Sequence, residues 1–143
     1  MNFKRLGLAV AAVFGAIWVT DFLIHGVWLR PDYQASAGLW RTEAEMLRHL
    51  GWMLAGQFLA AVAFTTLWAR GFAPTACWRC AVMYGLFMAL FREAVGLVFY
   101  SVQPIPGELS VKWFCAGLAQ GMVLGVVAFL VYRPAATAPG GSQ

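Results

Sequence analysis

Four stretches of about twenty mostly apolar residues dominate the chain, and each is long enough to cross a bilayer's hydrocarbon core as a helix. The first is expected at residues 6–29, interrupted only by Thr20, Asp21 and His25. The others are expected at 50–69, 80–101 and 111–132. Lys4 and Arg5 ahead of the first run resemble the start of a signal peptide. A signal peptide's apolar region stops after about 7–15 residues, so a retained helix is the better reading. Composition agrees: 62% of the 143 residues are hydrophobic and 11% charged, against about 45–50% and about 25% in soluble domains. The expected fold is therefore all-α, an integral membrane four-helix bundle over residues 1–134. A disordered tail of small and polar residues is expected at 135–143.

Local signals refine these limits. Thr42 and Glu45 have capping-box spacing, so the second helix is expected to start well before its apolar run. Pro104 and Pro106 close the third run, and Pro134 closes the fourth. Tryptophan and tyrosine favour the two membrane–water interfaces. Trp28, Trp52, Tyr100 and Trp113 fall at one expected face, and Trp68, Trp78 and Tyr132 at the other. Lys4, Arg5, Arg70, Arg79 and Arg133 share the second face, against Arg30, Arg41, Arg48 and Lys112 at the first. The positive-inside rule then places both termini in the cytoplasm.

Helices in lipid associate through close packing and polar contacts. Gly117, Gly121 and Gly125 make two overlapping GxxxG steps, with a weaker Gly7, Ala11, Gly15 stripe in the first run. Either internal packing or a homodimer seam would use them.

A charge at mid-span costs about 2.5–3.5 kcal/mol on insertion scales, so such residues have partners or a purpose. From the helical rise, Asp21 lies roughly 6 Å and His25 roughly 12 Å outward of centre. Gln57, Arg92, Glu93 and Gln120 lie within about 5 Å of centre on the same side, and His49 sits near the outer end of the second run. Four helices thus contribute to one slab, which points to an outward-facing polar pocket. Gly85, Ala89, Arg92 and Gly96 share a helical face, so Arg92 is expected against another helix. The expected pairs are Asp21 with Arg92, and His25 or His49 with Glu93.

Two cofactors are admitted by these residues. His25 and His49 on neighbouring helices are the minimum for bis-histidine haem. His25, His49 and Glu93, with Asp21, offer imidazole and carboxylate to a divalent metal. Cys77-x-x-Cys80 at a helix start admits redox or soft-metal chemistry, or two ordinary reduced thiols. Residues 30–48, with Asp32, Tyr33, Trp40, Arg41, Glu43 and Glu45, read as a pocket lid, a partner surface or an interfacial loop. No catalytic nucleophile–base arrangement or phosphate loop is present. The net charge of +4 comes without a basic cluster, which excludes a nucleic-acid partner.

Gly15-x-x-Trp18, the polar–aromatic exit of the first run, Trp40-Arg41, and Trp113 followed by Gln120-Gly121 carry a resemblance. In these, and in overall layout, the chain resembles small bacterial four-helix membrane proteins grouped as a family of unknown function. The resemblance implies the bundle fold and the bacterial inner membrane, and carries no catalytic residues. The functional expectation is a non-enzymatic bundle that binds or conducts a small solute, proton or ion. The alternatives are an accessory subunit of a membrane complex or a haem- or metal-bearing redox protein. Lipid, a second copy and a membrane-complex subunit are the expected partners.

Overall fold

The computed structural model describes residues 2–73 and 77–132, and among them forms helices and turns without a strand. The expected tail at 135–143 lies outside the described residues. Four helices are long and apolar enough to cross a membrane: α1 (Phe3–Trp28), α4 (Leu50–Phe72), α5 (Trp78–Val102) and α6 (Gly107–Val131). Two short helices, α2 (Arg30–Ala35) and α3 (Glu43–Arg48), lie in the connection between α1 and α4. That connection and residues 103–106 mark the loop end of the bundle. The opposite end, with Asn2 and Tyr132, is the terminal end.

Local chemistry sets the helix limits. The Asn2 side chain caps α1 by accepting from the Arg5 amide at 3.1 Å. The last turns of α1, Phe22–Trp28, widen into a π-helix, with the Leu29 amide donating to the Ile24 carbonyl at 2.8 Å. Thr42 and Glu45 do form a reciprocal capping box, but it starts α3 alone and not the long helix. The break falls at His49, whose ring Nδ1 lies 2.8 Å from the Glu45 carbonyl. A side chain that claims a helix carbonyl competes with the backbone ladder.

The long helices are not equally engaged. α1 packs between α4 and α6, and α6 between α1 and α5. The closest approach joins α5 to α6, where Ala81, Gly85, Ala89 and Glu93 face Gly117, Gly121 and Gly125. A Cβ on Gly85 would collide with the Gly121 carbonyl, and one on Gly125 with the Ala81 carbonyl. The glycine stripe therefore seats a neighbouring backbone of the same chain. Gly7 and Gly15 differ, because a Cβ on either would meet nothing within 4 Å. Gly85→Ala and Gly121→Ala are accordingly expected to cost about 1–3 kcal/mol through overpacking, while Gly7→Ala costs nothing. Unfolding in mixed micelles by added dodecyl sulfate checks this, and a wild-type midpoint for Gly121→Ala would refute the close approach.

At the terminal end the bundle is closed by aromatics. Tyr84 donates its hydroxyl to the Phe64 carbonyl at 2.5 Å and packs against Phe64, Trp68 and Phe72. Trp68 is fully buried and Tyr132 is nearly so, so both belong to the core at this end of the bundle. Trp68 also donates to the Tyr132 carbonyl, which ties α4 to α6. Toward the loop end this apolar filling stops, and polar side chains occupy the space between helices.

Most of the helical surface points outward and is apolar. The most hydrophobic window of each long helix is only 17–39% buried. Phe3, Leu47, Trp52, Phe91 and Val102 are each at least 70% exposed. Exposed apolar area on this scale, in so small a chain, is compatible with contact to lipid or to other proteins.

Candidate functional site

One hydrogen-bonded chain crosses all four long helices in the loop-end half. Gln57 on α4 donates to Asp21 Oδ2 on α1 at 2.7 Å. Gln120 on α6 donates to Asp21 Oδ1 at 2.6 Å and to Thr20 Oγ1 at 2.7 Å. Arg92 on α5 donates from Nη1 to Gln120 Oε1 at 2.9 Å. Its Nε and Nη2 both reach Glu93 Oε1 at 2.9 Å. Arginine can only donate, so Gln120 must turn its oxygen to Arg92. Its amide hydrogens are thereby directed at Asp21 and Thr20, and the charge on α5 sets the amide's orientation.

This arrangement differs from the expected pairing. Asp21 is not paired with Arg92; Gln120 stands between them and bonds to both. Arg92 takes its own neighbour Glu93, and its side chain is 57% exposed while that of Glu93 is 10% exposed. The reason lies in helix packing. Rows of residues four apart are inclined to the helix axis, and α6 follows such a row through Ala81, Gly85 and Ala89 to Glu93. A face drawn parallel to the axis selects Arg92 instead. Gly117 completes the fit, because a Cβ there would strike the Glu93 carboxylate and crowd Arg92 Nη2.

His25 and His49 part company. His49 is exposed at the α3–α4 joint, held to the Glu45 carbonyl and outside the polar chain. His25 Nδ1 lies 2.6 Å from the Tyr33 hydroxyl on α2, not against Glu93. Trp113 Nε1 donates to the same oxygen at 2.8 Å. Among the described residues no three His, Cys, Asp or Glu side chains come together to hold a metal ion. The set His25, His49 and Glu93 is thus not assembled, and the two histidines are held by different partners, Tyr33 and the Glu45 carbonyl.

The α1–α4 connection folds over this end. Tyr33, Trp40 and Trp113 form a mutual aromatic contact with centroids 5.4–6.3 Å apart. Lys112 bonds Asp32 at 2.7 Å and Glu108 at 2.7 Å, fastening α2 to the start of α6. Burial pushes the Tyr33 phenol above its ordinary value, against the opposing effect of the Trp113 hydrogen bond. Hydrogen bonds from Thr42 hold Glu45 below the usual carboxylate range.

Three cavities meet at His25. A vestibule of about 1010 Å³ lies under the connection, lined by Arg30, Tyr33, Trp40, Arg41, Glu43 and His25. A cavity of about 260 Å³ between α1, α5 and α6 is lined by His25, Arg92, Glu93, Trp113 and Gln120. A cleft of about 320 Å³ between α1 and α4 is lined by Trp18, Asp21, His25, Met53 and Gln57. His25 sits on the π-helical turn, a feature that recurs at functional sites. Thr20 and Trp113 were not expected at the site, and Tyr33 was read only as part of a segment that could lid it. Trp113, Gly117 and Gln120 share helical spacing, which is the one signal that links Trp113 to it.

The cysteine pair lies at the opposite end. Cys77 caps α5, its sulfur accepting from the Cys80 amide at 3.2 Å and touching the Cys80 sulfur at 2.6 Å. Those hydrogen bonds from Cys80 lower the Cys77 thiol below its ordinary value. A lowered pKa keeps thiolate present at lower pH. Alkylation of Cys77 by a water-soluble maleimide is therefore expected to persist at a pH where an ordinary thiol has stopped reacting. Mass spectrometry of labelled vesicles checks this, and a pH profile matching free cysteine would contradict it.

No family model, curated protein or solved structure matches this chain.

Proposed function

We propose that this chain is an integral protein of a bacterial cytoplasmic membrane, with both termini inside. On this reading its polar network binds or passes a proton or small cation arriving from the loop end. The outward apolar surface and the Lys/Arg bias support the placement. So does the resemblance in layout to small bacterial four-helix membrane proteins.

One observation carries the functional part. The network joins two carboxylates, Asp21 and Glu93, to a single guanidinium, Arg92. With both carboxyls ionised, one negative charge is in surplus between apolar helices, where an unbalanced charge is costly. A proton or a cation removes the surplus, and the cavity beside Glu93 leads past His25 to the vestibule. Purified protein in lipid vesicles tests this. Uptake of protons or of sodium or potassium ions, above that of empty vesicles, is expected; uptake of none from either side rejects the reading.

A second reading has its own support, because almost every donor and acceptor in the network is already matched. Such a network fixes helix register whether or not anything binds. An accessory subunit of this kind would keep its role, and most of its stability, when Arg92 and its ion-pair partner Glu93 are both replaced by leucine.

A further inference from the structure

We infer that the species taken up is a proton, and that His25 passes it from the vestibule to Glu93. This rests on the uptake reading above and names its substrate and its route.

The ligand set decides between a proton and a metal cation. Calcium takes six to eight oxygens and magnesium six. Glu93, which lines the cavity, has one carboxylate oxygen free of hydrogen bonds, Oε2, since Oε1 already accepts both contacts from Arg92. The Arg92 guanidinium lines the same cavity and repels a bare cation. A proton needs only one acceptor and no coordination shell.

The route follows from what touches His25. It lines both the vestibule and the Glu93 cavity. Its Nδ1 is committed to the Tyr33 hydroxyl, whose oxygen also accepts from Trp113. Nε2 is then the ring nitrogen left for the cavity, which is roomy enough for bridging water. A proton arriving at the Tyr33 oxygen forms a new O–H bond while the old O–H proton passes to Nδ1. The imidazole then gives its Nε2 proton toward Glu93 Oε2, so one proton enters, one leaves, and His25 ends as the other neutral tautomer. Ring rotation or exchange with water resets it. The charged groups around the ring are Asp21 on its own helix and Arg92 and Glu93 on α5. Arg30, Arg41 and Glu43 line the vestibule; Asp32 beside Tyr33 is held by Lys112. Neutralising Glu93 leaves Asp21 and Arg92 balanced, which matches the one-charge surplus of the network.

The test uses the full chain in phosphatidylcholine–phosphatidylglycerol vesicles with a pH-sensitive dye inside and a potassium diffusion potential as driving force. His25→Ala is expected to slow proton uptake about tenfold or more, with added imidazole restoring it. Tyr33→Phe is expected to slow it as well, with its ring packing retained. Wild-type rates in His25→Ala, or loss that imidazole does not rescue, overturn the relay. Sodium or potassium uptake without proton uptake overturns the choice of substrate while the uptake reading survives. Absence of all uptake by the wild-type protein ends that reading itself. Should His25→Ala fail to fold, Tyr33→Phe decides: slowed uptake supports the relay and full-rate uptake overturns it.

Discussion

Gln120→Leu is expected to destabilise the bundle by about 3 kcal/mol or more, the largest loss from any single change in the network. Gln120 is only 3% exposed, and leucine fills nearly the same volume, so the cost comes from hydrogen bonds and not from a cavity. Leucine strands Arg92 Nη1 and Asp21 Oδ1 together, while Thr20 Oγ1 loses the bond it accepts but still donates to the Ala16 carbonyl. Each stranded buried group costs about 1–3 kcal/mol, and the half-exposed Arg92 contributes least. Gln57→Leu is the comparison. It removes one bond to Asp21, and its own Oε1 already lacks a partner among the described residues, so a much smaller loss is expected. Unfolding of both variants in mixed micelles gives the difference. A Gln120→Leu midpoint no lower than that of Gln57→Leu would mean that the bridging amide contributes nothing net.

The second large effect is on uptake. Arg92→Leu is expected to bring proton or cation uptake down to the leak of empty vesicles while part of the protein stays folded. It removes the only cation in the network and both donors to Glu93 Oε1. The network's two carboxylates, Asp21 and Glu93, are then left with no counter-charge among its members. Breaking a fully buried ion pair costs about 3–5 kcal/mol; the loss here is smaller because Arg92 is 57% exposed. Removing both partners separates stability from function. Arg92→Leu with Glu93→Leu should regain most of the stability but none of the uptake. Arg92→Lys should fall between, since one ammonium does not reproduce a guanidinium's fork to Glu93 and Gln120. Wild-type uptake in Arg92→Leu would reduce the network to a device for fixing helix register.

The four apolar runs could be read without structure because lipid imposes a length and a composition on every crossing segment. The shared position of Asp21, Gln57, Arg92, Glu93 and Gln120 along the bundle was equally legible, since it depends only on counting along a helix. Which side chain meets which was not. Asp21 and Arg92 lie at similar depth, but Gln120 occupies the space between their helices, and an amide serves a cation and an anion at once. The choice between Arg92 and Glu93 as the buried member turned on the inclination of α6 across α5, a tertiary quantity with no local signature. Tyr33 and Trp113 are 80 residues apart, and nothing near either announces the other. Trp68 shows the same limit, because a tryptophan near the end of an apolar run suits an interface and a core equally well. Here the aromatic cluster around Tyr84 claimed it.

The neighbouring placement of Arg92 and Glu93 has a consequence for how such a chain enters a bilayer during synthesis. Most intramembrane ion pairs join two helices, so each charge must be inserted before its partner arrives. Here the guanidinium and the carboxylate that neutralises it travel in the same helix, one residue apart, so on the membrane reading α5 would enter with its two charges already matched. Asp21 has no such companion. It leads the chain on α1 and waits for Gln57 and then for Gln120, the last of the four long helices to emerge. On the membrane reading, Asp21 would therefore be the charge whose partners arrive latest, with Gln57 bonding one oxygen first and Gln120 reaching the other only once the final helix is in place.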